Sequence, residues 1–249
     1  MVSIKNNKEL EIMREACKIS AQALKIAQRF MVAGVSTKEI DQAIIREIVS
    51  CGAKPNFLGY GGFPASSCIS INNQVIHGIP SNKVLLKDGD IVSIDTGAVY
   101  NGFHGDNAYT YQVGEVAPEI KQLLTVTSEC LLKGISEAKS GNRIGDISNA
   151  IEEYARSFGY GVVKEFVGHG IGRSMHEDPE VPNFGCKGKG MRLVSGMTLA
   201  IEPMINLLGD EVSISPDGWT VTTVSGTPSA HFEHTVLVTE TGGKILTKA

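Results

Sequence analysis

The feature that most constrains this fold is a weak internal repeat, in which residues of the first half of the chain recur 107 positions later. The matched pairs are Gly34 with Gly141, Ile40 with Ile147, Ala43 with Ala150, Ile44 with Ile151, Leu86 with Leu193, Gly89 with Gly196 and Ile94 with Ile201. All of these pairs have the same spacing, so the two copies align without a gap. The repeat predicts a duplicated unit of helices and strands, and its alternative is a chance match between segments of similar composition.

An acidic residue occurs at the same point of each copy, after an apolar segment. Asp95 follows residues 91–94, and Glu202, which lies 107 positions later, follows residues 198–201. Charged groups that enter an apolar interior are usually paired or bound to a metal ion. Two halves that meet face to face would therefore bring these two carboxylates into one site.

A second aspartate joins this site through a predicted hairpin. The dipeptide Asn101-Gly102 is a strong signal for a two-residue turn between strands. With that turn at the centre, Asp106 pairs with residue 97 and Asp95 with residue 108, unless a bulge shifts the register. The two aspartates then lie on one face with their Cβ atoms about 7 Å apart. They repel each other unless a cation lies between them, and the alternative is a solvated edge with two exposed side chains.

Three more side chains complete the candidate set of metal ligands. They are Glu202, Glu233, which precedes the apolar residues 236–238, and His169, which has a glycine on each side. Flanking glycines let the backbone approach a ligand closely. One imidazole with four carboxylates is an oxygen-rich set, which suits a pair of Mn, Fe, Co or Zn ions and does not distinguish among them.

Local patterns predict alternating helices and strands, with no linker between them. Capping boxes at Asn6 with Glu9 and at Ser36 with Glu39 mark the starts of two helices, the first of which extends to residue 33. Further helices are predicted at 118–139 and 145–158, and extended segments at 67–76, at 90–113 and over most of 162–166, 197–206 and 232–246. This order indicates a mixed fold of helices and strands.

Composition excludes several classes of protein. The five cysteines form no Cys-x-x-Cys pair and their number is odd, so neither a disulfide framework nor a structural zinc site is indicated. The net charge of -4 gives no reason to expect nucleic acid or an anionic membrane as a partner. The sequence has no signal peptide and no apolar run long enough to span a membrane, so we expect a cytoplasmic protein.

Four segments of the sequence, taken in order, resemble those of the type I methionine aminopeptidases, a family with the pita-bread fold. They are residues 62–64 through 79–80, 88–90 through 106, 168–177, and 201–203 with 232–234. The resemblance implies an α+β fold of two pseudo-symmetric α/β halves around a curved antiparallel sheet. The chain is then one catalytic domain, residues 1–249, with an internal pseudo-repeat of roughly 1–115 and 116–249.

The resemblance also implies a role for each candidate residue. The implied ligands of two divalent metal ions are Asp95 on one ion, His169 and Glu202 on the other, and Asp106 and Glu233 as bridges between them. The implied catalytic residues are His77 and His176, which also contact the substrate, and Glu202 as a proton shuttle. The implied apolar pocket for the substrate consists of Phe57, Tyr60, Phe63, Cys68, His77, Met175 and Trp219.

Three positions depart from the family pattern. Gly61 replaces a usual histidine, Met175 replaces a common aromatic residue, and His231 replaces a usual glutamine. These changes affect the shape of the pocket and the residues that contact the candidate ligands without binding metal themselves. They leave the five candidate ligands in place. One hypothesis is that His231 shares a strand face with Glu233 and donates to it, and the alternative is a polar replacement without effect.

The activity that the resemblance implies is metal-dependent removal of the N-terminal initiator methionine from nascent proteins and peptides, with a preference for a small second residue. A hydroxide that bridges the two metal ions would attack the first peptide bond. The expected partners are the N-termini of nascent polypeptides, and a transient contact with the ribosome fits that role. Neither nucleic acid nor a membrane is expected to bind, and nothing in the sequence requires more than a monomer.

Three other interpretations stay open on the sequence alone. One is a proline-specific dipeptidase or aminopeptidase of the same fold, although such relatives usually carry an additional N-terminal domain and the first helix here begins within ten residues of the start. Another is a pita-bread binding module that has lost catalysis, which we would expect to lack some of the ligands. The third is an α/β domain with scattered acidic residues, which leaves the matched carboxylates unexplained.

Overall fold

The computed structural model describes residues 2–248, which form helices and short strands. The α-helices are α1 (Asn7–Ala27), α2 (Thr37–Ser50), α3 (Pro118–Glu137) and α4 (Ile144–Ser157). The strands are β1 (Lys54–Pro55), β2 (Ser67–Ile71), β3 (Gln74–Ile76), β4 (Ile91–Tyr100), β5 (Phe103–Gln112), β6 (Gly161–Val162), β7 (Gly168–Gly170), β8 (Glu177–Val181), β9 (Thr198–Ile201), β10 (Met204–Asn206), β11 (Val212–Ile214), β12 (Val221–Thr223), β13 (Ser229–His231), β14 (His234–Val238) and β15 (Gly243–Ile245). Within residues 2–248, no helix combines the length and the apolar character that a membrane span requires.

The named strands pair in antiparallel fashion and form four sheets. In the first half of the chain, β4 lies between β5 on one side and β1 and β2 on the other. In the second half, a five-stranded sheet has the order β15-β14-β9-β7-β8. Two three-stranded sheets have the orders β13-β10-β6 and β11-β12-β3. The predicted α+β class with antiparallel sheets is therefore confirmed.

The two halves repeat each other in backbone structure as well as in sequence. Helices α2 and α4 both contain 14 residues and start 107 positions apart. Before each helix, an antiparallel bridge joins equivalent residues, Ser36 with Leu85 and Arg143 with Arg192. The sequence repeat thus corresponds to equivalent elements of structure. The assignment of residues 1–249 to one catalytic domain, divided near residue 115, stays a prediction.

A glycine precedes each repeated helix in the same left-handed conformation. Gly34 has a φ of 91° and donates its N–H to the Leu86 carbonyl oxygen at 2.8 Å. Gly141 has a φ of 93° and donates to the Leu193 carbonyl oxygen at 3.0 Å. No atom lies within 4 Å of the position that a Cβ would take on either residue. The backbone conformation, and not the space around it, therefore requires glycine at both positions.

The predicted hairpin is confirmed residue by residue. Strands β4 and β5 pair without a bulge, with Asp95 opposite Ala108 and Gly97 opposite Asp106. The turn dipeptide Asn101-Gly102 has φ values of 46° and 79°, and both values are positive, as a two-residue turn of this hand requires. Strand β4 continues to residue 100, so Asp95 lies in the middle of a strand and not at its end.

Most predicted boundaries agree with the structure to within a few residues, and both predicted capping boxes form. The first α-helix ends at Ala27 instead of residue 33, because a 3₁₀ turn follows at Gln28–Phe30 and breaks the α-helical hydrogen bonding. The extended prediction over 162–166 was largely wrong. Val162 belongs to β6, and the chain leaves the sheet after Val163.

The helices of each half pack against strands of the same half, and α1 also packs against Ile171, Leu237 and Leu246 of the second half. The first-half core includes Ile19, Leu24, Ile40, Ile44, Ile48, Val92 and Ile94. The second-half core includes Leu131, Ile135, Ile147, Ile151, Leu199, Ile201 and Val236. Because side chains alternate along a strand, Ile94 enters the first core and its neighbour Asp95 points to the opposite face of the sheet. The helices thus cover one face and leave the other face to the acidic residues.

Hydrogen bonds join β5 of the first half to the second half of the chain. The Asp106 N–H donates to Thr235 Oγ1 at 3.0 Å, and that hydroxyl donates to the Asp106 carbonyl oxygen at 2.8 Å. The Glu233 N–H donates to the Ala108 carbonyl oxygen at 2.9 Å. We refer to residues 106–108 and 233–235 as the seam. Since the seam includes Asp106 and Glu233, it determines how close these two acidic residues lie.

Replacement of either repeated glycine by alanine should lower the free energy of unfolding by the same amount. In Gly34→Ala and Gly141→Ala the added methyl group meets no atom. Each substitution then lowers the free energy of unfolding only because alanine must adopt the left-handed conformation, which costs about 1–2 kcal/mol. Urea unfolding followed by circular dichroism measures both costs.

A contrasting variant is Gly105→Ala, in which the Cβ would lie 2.5 Å from the Cys17 Cα in α1. This variant should lose more stability than the other two, because α1 would have to move away from β5. Losses for Gly34→Ala and Gly141→Ala that differ by more than about 1 kcal/mol would contradict the equivalence of the two positions.

Candidate metal centre

One cavity of about 140 Å³ brings together every residue that the sequence predicts for the site. Its lining residues are Asp95, Asp106, His169, Glu202 and Glu233, with Phe57, Tyr60, Phe63, Cys68, His77, Met175, His176 and Trp219. Strands β4 and β5 of the first half supply the two aspartates, and the second half supplies the other three candidate ligands. The cavity therefore depends on both halves of the chain.

Three of the candidate ligands have converging donor atoms. A carboxylate oxygen of Asp106, a ring nitrogen of His169 and a carboxylate oxygen of Glu233 lie within 4.8 Å of one another. All three residues are buried. Buried donors that converge on one position are the arrangement expected of a metal site.

The surroundings of the four carboxylates in the cavity raise their affinity for protons. Burial raises the pKa of Asp95 and Glu202, and burial together with neighbouring carboxylates raises the pKa of Asp106 and Glu233 well above the usual range. Within residues 2–248, one oxygen each of Asp95, Asp106 and Glu233 is buried without a hydrogen-bond partner. Buried charges without partners are costly, and divalent cations would both coordinate these oxygens and neutralise their charge. The residues present therefore fit a metal site.

His169 presents one ring nitrogen to the carboxylates. Its Nδ1 lies 2.9 Å from the Gly170 carbonyl oxygen, which can only accept, so Nδ1 carries the proton. Its Nε2 lies 3.6 Å from Glu202 Oε1 and has a free lone pair. Burial lowers the pKa of His169 to about 4, so the imidazole is neutral near pH 7, as a metal ligand must be.

Glycines leave room for these side chains and for the strands beneath them. A Cβ on Gly97 would lie 3.0 Å from Asp106 Oδ1. Beside His169, a Cβ on Gly168 would lie 2.4 Å from the Ala200 carbonyl oxygen, and one on Gly170 would lie 2.2 Å from the carbonyl oxygen of residue 178. The glycines on either side of His169 are thus required by the close approach of neighbouring strands, which is a different reason from the predicted approach to a ligand.

The side chain of His231 lies beside a different residue from the one predicted. Strand β13 ends at His231 and β14 begins after Glu233, so these two residues do not share one strand. His231 Nε2 instead lies 3.5 Å from Glu202 Oε2. Burial lowers the pKa of His231, so its ring is neutral near pH 7. Within residues 2–248, His231 Nε2 therefore lies near Glu202 and donates no hydrogen bond to Glu233.

A tyrosine orients the ring of His176. Tyr60 Oη lies 2.7 Å from His176 Nδ1. Burial lowers the pKa of His176, so the ring is neutral near pH 7. With the tyrosine hydroxyl as donor, Nδ1 accepts and Nε2 carries the proton. The His176 ring lies 4.3 Å from the His169 ring, centroid to centroid, so it offers an N–H group beside the candidate metal ligands.

His77 lines the same cavity from a strained backbone position. Its φ of 59° is left-handed, which is uncommon for a residue other than glycine and is concentrated at functional sites. Burial lowers the pKa of His77 to about 4. The ring packs edge-on against Phe166 at 5.7 Å and Trp219 at 6.4 Å between centroids. His77 is therefore a neutral imidazole near pH 7.

An apolar cup adjoins the carboxylates. Its walls are Phe57, Phe63, Ala65, Cys68, Ile79, Met175 and Trp219, which pack together in one cluster. Burial raises the pKa of Cys68, so its thiol is protonated and acts as a small apolar group. Tyr60, which is 47% exposed, also lines the cavity.

A wider groove elsewhere on the molecule lacks these donors. Its volume is about 540 Å³, and its lining includes Tyr109, Tyr111, Phe232 and Glu129. Among its lining residues Glu129 is the one carboxylate, and histidine and cysteine are absent. Metal chemistry therefore points to the smaller cavity.

Sequence reasoning missed two residues that position the site. Thr235 holds Asp106 through the seam, and the Asn183 side chain donates to the Glu202 carbonyl oxygen at 3.0 Å. Both residues are fully buried. A threonine inside the apolar strand β14 is a weak signal, and no spacing pattern marks Asn183.

Known proteins resemble this chain in sequence and in fold. Residues 11–240 match the metallopeptidase family M24. Methionine aminopeptidase 1 of Bacillus subtilis is 50% identical over 248 residues, which cover 100% of both chains. The structure of methionine aminopeptidase from Thermotoga maritima covers 100% of both chains, with a TM-score of 0.99 and 45% identity. Prolidase from Pyrococcus furiosus is 26% identical with a TM-score of 0.80, and the match covers 99% of this chain and 65% of the prolidase.

Divalent metal should bind more tightly as the pH rises from about 6 to about 8. The raised pKa values, about 7 for Asp95 and about 8 for Glu202, keep these groups largely protonated at the lower pH. A cation must displace those protons, so its affinity falls as the pH falls. Isothermal titration calorimetry with Mn²⁺, in two buffers of different ionisation enthalpy, measures both the affinity and the protons released.

The same titration separates the candidate ligands from other buried acids. Asp106→Asn should weaken Mn²⁺ binding at least about tenfold. The matched control is Asp90→Asn, because Asp90 is buried at the start of the same hairpin and bonded to Asn72 outside the cavity. The control should bind Mn²⁺ like the unchanged protein. Equal binding by Asp106→Asn, or an affinity that does not depend on pH, would contradict this site.

Proposed function

The chain belongs to metallopeptidase family M24, and from that premise we propose that it is a methionine aminopeptidase that removes the initiator methionine from nascent proteins and peptides. One observation carries the proposal. A single cavity contains five metal-ligand candidates, two neutral histidines and an apolar cup, in a chain 50% identical over its whole length to a methionine aminopeptidase. A preference for a small second residue is part of the proposal.

Two divalent ions would occupy the five candidate ligands. Asp95 would bind one ion, His169 and Glu202 the other, and Asp106 and Glu233 would bridge the pair. Divalent cations bound there lower the pKa of water to near neutrality and polarise a carbonyl group. One neutral imidazole with four carboxylates suits Mn, Fe, Co or Zn.

The apolar cup supports methionine as the residue that is removed. Its walls are aromatic rings, a thioether and a protonated thiol, which favour an unbranched side chain with a polarizable sulfur. With the methionine side chain in the cup, the free α-amine of the same residue would lie at the metal ligands. An internal residue of a polypeptide has no such amine, so cleavage would be confined to the first peptide bond.

The two histidines and Glu202 would act on the peptide bond from outside the metal ions. His176 would donate its Nε2–H to the carbonyl oxygen as negative charge develops there. His77, which is also neutral near pH 7, would donate to the substrate backbone and orient it. Glu202 would carry a proton to the leaving amine, a task suited to a carboxyl group whose pKa burial has raised toward neutrality.

The cellular setting is part of the same proposal. The substrates would be the N-termini of nascent polypeptides in the cytoplasm, and a transient contact with the ribosome would bring the enzyme to them. A monomer is sufficient, since one chain supplies every residue of the cavity.

Peptides should be cleaved according to their first two residues. With Mn²⁺ added to the metal-free protein, Met-Ala-Ser and Met-Gly peptides should release methionine, and Met-Lys peptides should not. Chromatography of the free methionine measures the reaction. Cleavage of Ala-Pro dipeptides without cleavage of Met-Ala peptides would instead support a proline-specific dipeptidase. Mn²⁺ binding without any cleavage would support a binding module.

Two substitutions test the role of His176. His176→Ala should lower kcat by about 10²–10³-fold with little change in KM, since its hydrogen bond strengthens in the transition state. Tyr60→Phe removes the hydroxyl that sets the tautomer of His176 and should lower kcat by about fivefold, as one hydrogen bond of this kind is worth about 1 kcal/mol. The measurement is steady-state hydrolysis of Met-Ala-Ser.

The control for these substitutions is Tyr109→Phe. Tyr109 is an exposed tyrosine of the wider groove, so its hydroxyl has no part in the cavity. This variant should keep the kcat of the unchanged protein. A Tyr60→Phe variant with the same kcat as Tyr109→Phe would remove the tyrosine from the mechanism.

A further inference from the structure

A buried lysine near the N-terminus forms an ion pair with the residue that follows His176. Lys5 Nζ lies 2.6 Å from Glu177 Oε2, and the two side chains are 2% and 15% exposed. Residues 2–6, which precede α1, are named here the N-terminal strap. Moving two charges out of water is costly, so a buried ion pair is by itself weak evidence for a gain in stability.

The Glu177 carboxylate closes the loop that carries His176. This loop, residues 171–176, lies between β7 and β8 and is outside the sheet. Glu177 Oε1 accepts the N–H of Arg173 at 2.7 Å and that of Ser174 at 3.1 Å. Burial opposes ionisation of Glu177, but the hydrogen bonds from Lys5 and from the loop lower its pKa overall, so it is charged near pH 7.

The ion pair is packed tightly between the strap and the loop. A Cβ on Gly172 would lie 2.4 Å from Lys5 Cε and 2.8 Å from Glu177 Oε1. The strap itself is anchored, because the Lys5 N–H donates to the Gly196 carbonyl oxygen at 3.1 Å. The lysine therefore reaches the loop from a fixed position.

Other contacts hold the N-terminal part of the same loop, and at its other end the Tyr60 hydroxyl contacts the His176 ring. The His104 N–H donates to the Gly172 carbonyl oxygen at 2.8 Å. Arg173 Nη2 lies 3.0 Å from Glu9 Oε1, and this pair is more exposed, with the arginine side chain 64% exposed, so it contributes little. The Lys5–Glu177 pair acts at the other end of the loop, directly next to His176.

From these contacts we infer that Lys5 is a positioning residue for His176. Its ion pair with Glu177 fixes the end of the loop, and the adjacent peptide bond transmits that position to His176. The inference rests on the proposed function, in which His176 acts on the substrate. A displacement of about 1 Å in a catalytic group can cost about 10²-fold in rate. The strap of the first half thus positions a side chain that the second half supplies.

The test is a double-mutant cycle between Lys5→Met and His176→Ala, with Met-Ala-Ser as the substrate and Mn²⁺ added. Lys5→Met keeps an apolar stem and removes the charge, and it should lower kcat by about 10–100-fold while KM changes by less than about threefold. In the His176→Ala protein, the same substitution should change kcat by less than about twofold, because its effect passes through His176. The control is Lys121→Met, which removes an exposed ion pair with Glu115 and should leave kcat unchanged.

Hydrogen exchange of the metal-free proteins adds a measurement that does not depend on activity. The amides of Arg173 and Ser174 should exchange faster in Lys5→Met, and those of α4 should exchange as before. Unchanged kcat in Lys5→Met, or equal fold losses of kcat with and without His176, would overturn the inference.

A second variant covers the case in which Lys5→Met does not fold. Glu177→Gln breaks the same ion pair from the loop side and keeps an oxygen for the two loop amides, and the same criteria apply to it. If the unchanged protein cleaves no Met-Ala peptide, the proposed function fails, and the exchange of the loop amides alone decides whether Lys5 positions the loop.

Discussion

Four carboxylates share one buried cavity, and the rest of the structure depends on keeping this negative charge in place. Burial raises the pKa of all four groups, and neighbouring carboxylates raise that of Asp106 and Glu233 further. Three of their oxygens lack a hydrogen-bond partner within residues 2–248. Separation of the two halves would relieve the repulsion. The hydrogen bonds of the seam, from Thr235 to Asp106 and from Glu233 to Ala108, oppose that separation. Divalent cations would then turn a costly arrangement into a favourable one.

The candidate site is divided between two similar halves, so neither half alone contains all of its residues. The first half supplies two carboxylates on one rigid hairpin, and the second supplies an imidazole and two carboxylates. Each half packs its helices on one face of its strands, so the opposite faces are left to line the cavity. The N-terminal strap adds a further contact between the halves, since Lys5 of the first half forms an ion pair with Glu177 of the second. Strands carry the candidate ligands Asp95, Asp106 and His169, while Glu202 and Glu233 lie next to strand ends, and a loop outside the sheet holds His176.

The parts of the site that the sequence predicted correctly are those that local interactions decide. The turn at Asn101-Gly102 placed Asp95 and Asp106 on one face because a two-residue turn fixes the register of both strands. The predicted partner of His231 was wrong because β13 ends at His231 and belongs to a different sheet from β14, and the side chain lies near Glu202 instead. The close packing of strands against the glycines beside His169 was not predicted, because strand packing is not visible along the chain.

The sequence by itself determined the helix caps, the hairpin register, the repeat of 107 residues and the chemical types of the candidate ligands, since each of these depends on residue type and on spacing along the chain. Tertiary structure alone decided that Asp106 meets Glu233 across the seam and that Lys5 meets Glu177 across 172 positions. Contacts of this range depend on how two separately packed halves are arranged in space. Spacing along the chain suggested that the two halves meet, but it did not show which residues pair between them, so these contacts had to come from the packing of the whole molecule.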